Sequence, residues 1–268
     1  MTTITNTPPP RSFRRRLGWE ISDTLAITWR NLITLARVPQ LIVFSTIQPV
    51  IFVLMFRYVF GGAISVPGVP YVDYLMPGIF CQTVAFGAIN TGAGLADDIH
   101  KGLIERFRSL PMARSAVLAG RTVADLLRDV FVVALMCIVG FAVGFRVHTN
   151  AFAFLGGIGV LLLFGFAMTW IFAIIGISTR NAESTQAASF PILAVLVFAS
   201  SAFVPTASMP TWLGMYAEHQ PVSVTVDAVR ALVLGGPTAT KVLTSLAWSI
   251  GIVVVFAPLA VHRYRSVS

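Results

Sequence analysis

AFLGGIGVLLLFGFAMTWIFAIIGI, residues Ala153–Ile177, runs for 25 residues without one ionisable side chain. Crossing the hydrocarbon core of a bilayer as a helix takes about 20 mostly apolar residues, so this stretch is long enough to span. Its apolarity is continuous and does not alternate. That argues for a helix, whose backbone groups find partners within their own segment, over a barrel strand. Five further runs have the same character: Leu41–Phe60, Tyr74–Leu95, Val130–Phe145, Ala187–Val204 and Leu243–Val261. The expected fold is all-α, a polytopic integral membrane protein with six transmembrane helices.

Composition agrees. Of 268 residues, 56% are hydrophobic and only 11% charged, and the mean hydropathy is +0.81, values foreign to a soluble domain of this length. The first apolar run begins only at Leu41 and has no small-residue cleavage pattern after it, so it reads as a retained anchor. Cys81 and Cys137 lie inside apolar runs without ligand spacing and read as buried free thiols.

The basic residues set the orientation. An N-terminal arm holds Arg11, Arg14, Arg15, Arg16, Arg30 and Arg37, and the second gap holds Lys101, Arg106, Arg108, Arg114, Arg121 and Arg128. Arg180 lies in the fourth gap, and Arg263 and Arg265 end the chain. Fifteen of nineteen Lys and Arg residues thus fall on one side, which the positive-inside rule makes cytoplasmic, with both termini. The net charge of +8 is spread along this boundary, where anionic headgroups attract it, so membrane lipids and not nucleic acid are the expected partner. Arginine outnumbers lysine seventeen to two, a bias that points to a GC-rich bacterial genome and hence a bacterial plasma membrane.

Residues 1–18, with Pro8, Pro9, Pro10 and an arginine cluster, read as a disordered basic cytoplasmic tail. Residues 19–37 follow as an amphipathic helix. Ile21, Leu25, Trp29, Leu32, Ile33 and Ala36 share one side of it, as an interfacial helix or one packed on a soluble partner requires. The six-helix transmembrane domain occupies 38–268. Within it, the charged loop 96–128 carries Ile99, Leu103, Phe107 and Leu110 at helical spacing, with Lys101, Glu105, Arg106 and Arg108 on the other sides and Pro111 as a stop. Either an amphipathic helix or a solvated loop fits that pattern. The segment 205–242 is punctuated by prolines and then reads as a helix over Ser223–Leu234, with Val222, Val226, Val229 and Val233 on one face. About twelve residues are too few to cross, which suggests an external re-entrant hairpin before the last span. Asp227 and Arg230 there make a local pair of little expected worth.

Catalytic constellations are not apparent. The four histidines are scattered, with no HExxH spacing, so no metal site is expected. Gly235-Gly236-Pro-Thr-Ala-Thr-Lys241 lacks the second glycine of a phosphate loop and reads as a turn. The non-spanning stretches are too short for a nucleotide-binding domain. Carboxylates avoid the middle of the six runs as delimited above, which argues against a proton-driven carrier with an intramembrane relay. Polar residues inside the spans gather as Gln48 in the first, Gln82, Thr83, Asn90 and Thr91 in the second, and Ser189, Ser200 and Ser201 in the fifth. These are candidates for lining a substrate path, or for bonding one helix to another. Gly140 and Gly144 form a GxxxG read as close packing within the subunit.

The chain resembles the membrane subunit of an ATP-binding-cassette exporter of the ABC-2 type, especially the daunorubicin-resistance-type permeases. The likeness rests on Gly102-Leu-Ile-Glu-Arg-Phe-Arg-Ser-Leu-Pro111, on Val204-Pro-Thr-Ala-Ser-Met-Pro-Thr-Trp212, on Gln220-Pro221 and on Val229-Arg230-Ala-Leu232. It implies six helices per subunit and a second permease copy or paralogue facing this one. It also implies a separate cytoplasmic ATPase carrying the ATP and Mg, with no cofactor in this chain. The 19–37 helix matches the family's connecting helix. Ile99, Lys101, Leu103, Glu105, Arg106, Phe107 and Arg108 then form the coupling helix that docks on the ATPase. The cargo would be an amphipathic drug, antibiotic or lipid-like molecule moved outward. The remaining alternatives are export of a lipid-linked glycan, a non-transporting assembly or sensor subunit, and a membrane enzyme acting on lipids.

Overall fold

The computed structural model describes residues 24–30, 33, 39–62, 64, 66, 68–102 and 114–267. Among them every regular element is helical: α1 (24–30), α2 (Pro39–Leu54) running on into a π-helical turn at Met55–Phe60, α3 (Tyr71–His100), α4 (Arg114–Val143), α5 (Ala151–Thr179), α6 (Ala182–Phe198), α7 (Thr211–His219), α8 (Pro221–Leu234) and α9 (Thr238–Val267). Four helices are long and apolar enough to cross a membrane, at Tyr71–His100, Leu118–Val143, Ala151–Thr179 and Thr238–Tyr264. The shorter apolar helices Thr46–Phe60 and Ala182–Phe198 account for the other two predicted runs. The tail 1–18 and residues 103–113, with most of the expected coupling segment, lie outside the described residues.

Local chemistry sets the helix ends. The Asn150 side chain accepts from Ala153 N at 2.8 Å and opens α5, and that of Asn181 accepts from Ser184 N at 3.1 Å and opens α6. Arg180, in the left-handed region at φ 54°, turns the chain between those two helices. Gln220 caps α8, with Pro221 in the first turn where its missing N–H costs nothing. Pro49, Pro77, Pro191 and Pro258 sit inside α2, α3, α6 and α9. Each removes a helical hydrogen bond, a defect that packed neighbours in a membrane bundle can compensate.

The bundle is built around α3, which packs against α4, α5, α6 and α8. At its closest crossing, Gly92 of α3 and Gly176 of α5 bring the two backbones together. A Cβ on Gly92 would collide with the Phe172 carbonyl, and one on Gly176 with the Gly92 carbonyl. Gly78 makes the same kind of approach to Ala202. Small residues let helices approach where no hydrophobic force separates them from lipid. The predicted GxxxG fares differently. Gly140 packs on Met76, but Gly144 lies past the end of α4 with φ 103° and open space around it, so it terminates a helix and joins nothing.

The link after α4, the link after α6 and the α7–α8 pair meet at one end of the bundle, here the hairpin end. Val222, Val226, Val229 and Val233, the predicted face, are all buried. At the opposite end Leu95, Leu118, Trp170, Ile177, Ala260 and Tyr264 form a second, smaller apolar cluster. There α1 lies on α4: Ile27 meets Gly120, and the Thr28 hydroxyl donates to the Gly120 carbonyl at 3.0 Å. The predicted stripe residues Leu25 and Trp29 remain 60% and 67% exposed, so this part of the stripe points away from the bundle while Ile27 faces it.

Candidate functional site

Helix α4 begins well before the predicted apolar run Val130–Phe145, because Asp125, Arg128 and Asp129 continue the helix instead of ending a span. This corrects the reading that carboxylates avoid the middle of the spans, and removes the argument drawn from it. Arg128 Nη2 donates to the Gly87 carbonyl of α3 at 2.9 Å and to Asp129 Oδ1 at 3.1 Å, and its Nη1 lies 3.1 Å from Asp125 Oδ1. Thr91 of α3 donates to Asp125 Oδ2 at 2.6 Å. Gly87 stands 16 residues after Tyr71 and 13 before His100, roughly 24 Å and 20 Å from the two ends of α3. Facing it across the cluster, Gly165 is the central residue of α5. Glycine keeps both places uncrowded. A Cβ at Gly87 would stand 2.9 Å from Asp129 Oδ1 and push on it, and one at Gly165 would stand 3.1 Å from Val84 Cβ and in ordinary contact, 3.4 Å, with Asp129 Oδ2. The Asp-x-x-Arg-Asp spacing was the available signal, since it puts all three charges on one face of a helix whose other faces are apolar.

A second cluster joins three elements nearer the opposite end. Asp98 of α3 receives Arg121 Nη1 of α4 at 2.6 Å and lies 3.8 Å from Arg30 Nη2 of α1. Beside it, the exposed Lys101 ammonium bonds Asp97 at 2.6 Å, and that hydrogen bond holds its pKa above the usual range.

The hairpin end carries the third. Arg230 was expected to form an exposed local pair, yet only 12% of its side chain is exposed, because burial of α8 brings it inside. Its guanidinium lies 3.6 Å over the Tyr74 ring, reaches Asp227 at 2.7 Å, and donates through Nη2 to the carbonyls of Tyr74 at 3.1 Å and Ser201 at 3.0 Å. Asp73, buried in the first turn of α3, accepts from Arg146 N at 2.8 Å and pairs with His148 Nε2 at 2.8 Å. Thr149 donates to the Leu232 carbonyl at 2.6 Å, so the same link grips α8. Together these contacts lock the α8 segment to the start of α3.

The sequence-derived path candidates do not converge on one lining. Gln48 and Asn90 are exposed on the bundle surface. Thr83 and Ser200 bond carbonyls of their own segments, Ile79 at 2.7 Å and Val197 at 2.5 Å. Thr91 belongs to the mid-bundle cluster, and Ser201 donates to Asp227 at 3.0 Å at the hairpin end. Gln82 and Ser189 are buried, and Gln82 Oε1 and Ser189 Oγ have no hydrogen-bond partner. Of the expected docking residues, Ile99 is half-buried against the smaller apolar cluster and Lys101 is exposed. Leu103, Glu105, Arg106, Phe107 and Arg108 lie outside the described residues. Among the described residues, no group of three or more His, Cys, Asp or Glu side chains is placed to hold a metal ion.

Residues 22–234 match the ABC-2 type transporter family. The daunorubicin resistance ABC transporter permease protein DrrB1 of Streptomyces coeruleorubidus is 36% identical over 92% of this chain and 87% of its own length. The doxorubicin resistance ABC transporter permease protein DrrB of Mycobacterium tuberculosis is 31% identical over 75% of this chain and 72% of its own. More distantly, the putative transport permease ycf38 of Porphyra purpurea is 23% identical over 78% of this chain and 73% of its own. A family match across most of the length and an apolar bundle with polar groups turned inward agree, and the chain belongs to the ABC-2 type transporter family.

Proposed function

We propose that this chain is the membrane-spanning permease subunit of an ATP-driven exporter. It moves an amphipathic drug, antibiotic or lipid-like molecule outward across a bacterial plasma membrane. The observation that carries the reading is the match to drug-resistance permeases over nearly the whole chain. Six helices cross the membrane, α2 with its π-helical extension and α6 completing the four long ones. The termini lie in the cytoplasm, as the arginine distribution supports. The α7–α8 pair forms the external re-entrant hairpin, α8 being too short to span. Gln82 and Ser189, with buried polar atoms unpartnered, are the best remaining contributors to a polar path.

ATP and Mg bind on a separate cytoplasmic ATPase, which engages the loop after α3 through Ile99, Leu103 and Phe107, with Arg106 and Arg108 meeting an acidic rim. A second permease copy or paralogue completes the path. The test is reconstitution of the chain with its ATPase in lipid, measuring export of daunorubicin against ATP hydrolysis. Phe107→Ala and Leu103→Asp are expected to abolish export while leaving ATP hydrolysis running. Export unchanged in both variants refutes the docking assignment, and absence of ATP-dependent transport by the complex refutes the exporter reading.

A further inference from the structure

The mid-bundle cluster does not balance its charge. Asp125 and Asp129 face one guanidinium, Arg128, and the deficit is localised at a single atom. Both oxygens of Asp125 are engaged, one by Arg128 Nη1 and the other by the Thr91 hydroxyl. Asp129 Oδ1 receives Arg128 Nη2. Among the described residues Asp129 Oδ2 has no hydrogen-bond partner; it is buried in a residue only 3% exposed and lies beside Gly165. A bare carboxylate oxygen against aliphatic carbon, roughly 20 Å from either end of the spans, is an expensive state.

Among the described residues the surroundings offer nothing else to neutralise it. Helix α5 has no ionisable side chain along its whole length, and α2 has none between Pro39 and Leu54. From α3 the facing groups are Gly87, Val84 and Thr91. The nearest charge on that helix toward the opposite end is Asp98, which is taken up by Arg121 of α4 with Arg30 of α1 close by. The ionisable groups of α9, Lys241, His262, Arg263, Tyr264 and Arg265, stand near its two ends. A metal cation would need several oxygen ligands at Oδ2, whereas a proton needs none.

We propose that Asp129 is a proton-binding site in the middle of the bundle. It holds one proton on the carboxyl group when α3, α4 and α5 are packed as here. It gives the proton up to water when those helices part. By linkage, packing then favours protonation and protonation favours packing to the same degree. Glycines at 87 and 165 provide the room in which the neutral carboxyl sits.

The first readout reports on the carboxyl group itself and requires no transport. In the full chain with its ATPase, reconstituted in lipid and carrying isotope-labelled aspartate, infrared spectroscopy at neutral pH is expected to show a protonated-aspartate carbonyl band. Alkaline titration should remove it, and Asp129→Asn should lack it. No such band in the wild-type complex overturns the proposal, whether or not the variant folds. The second readout rests on the exporter reading. The ATPase rate of the wild-type complex should change by about tenfold per pH unit along one limb, as a single ionisation requires, and Asp129→Asn should lose that limb. An identical profile in wild type and variant overturns the proposal. So does a rate that follows sodium concentration at fixed pH, which would assign the site to a metal cation.

Discussion

Replacing Arg230 by alanine removes a side chain that hydrogen-bonds α8 to both α3 and the segment after α6. The cost can be apportioned from the geometry. The Asp227 end is the lesser part: that carboxylate is 36% exposed, water screens it, and the pair contributes under about 1 kcal/mol. The buried end dominates. Arg230 Nη2 and Nε donate to the Tyr74 carbonyl and Nη2 to the Ser201 carbonyl, and charged donors of this kind are worth about 1.5–3 kcal/mol each. The ring contact with Tyr74 adds up to about 2 kcal/mol when desolvated. The Ser201 carbonyl keeps the Tyr74 hydroxyl as a donor at 3.0 Å, which offsets part of the loss. Arg230→Ala should therefore destabilise the folded bundle by about 3–5 kcal/mol, most of it from the lost carbonyl bonds, with the retained Tyr74 donor holding the total below their full sum. Asp227→Asn should cost less than about 1 kcal/mol. Arg230→Lys falls between them, since a compact ammonium cannot span both carbonyls and the carboxylate. Equilibrium unfolding of the reconstituted protein in mixed micelles measures all three. An Arg230→Ala loss below about 1 kcal/mol, or an Asp227→Asn loss equal to it, would refute the buried-carbonyl account.

Gly92→Ala and Gly176→Ala each put a methyl into a carbonyl across the α3–α5 crossing, so each should lower stability by about 1–3 kcal/mol; unchanged unfolding midpoints would show that the crossing yields freely. Asp98→Asn weakens the attachment of Arg121 and Arg30 together, and hydrogen exchange in 24–30 should quicken at least severalfold while α5 is unaffected. Asp73→Asn leaves an amide facing Arg146 N and His148, and should speed hydrogen exchange over 145–149; the same rate as wild type would mean that Thr149 and the bond from His148 N to the Val233 carbonyl, 2.9 Å, hold the link without Asp73.

Continuous apolar runs made most of the bundle readable. Ala153–Ile177 sits inside α5 and Tyr74–Leu95 inside α3, each extended by a few residues whose polarity is tolerated at helix ends. The valines of α8 announced their buried face through spacing alone. What misled was treating charge as a boundary. Asp125, Arg128 and Asp129 look like the edge of a span, but Arg128 pairs with both carboxylates and with the Gly87 carbonyl inside it, and a single linear run does not display such pairing. Arg230 hid for the same reason: its partners are carbonyls some 30 and 150 positions away. The α3–α5 crossing was equally opaque, since 21 glycines are scattered along the chain and only the fold tells which of them face each other.

The spans share the interior unequally: 89% of the apolar window of α3 is buried within the subunit, against 17% for α9. A helix enclosed on every side has little freedom to accept new side-chain shapes, whereas one that turns most of its girth outward must only stay greasy. Random substitution should therefore be tolerated along α9 by almost any exchange of one aliphatic residue for another, while α3 accepts few changes. Drift between descendants of this chain would then accumulate along α9 and stall along α3.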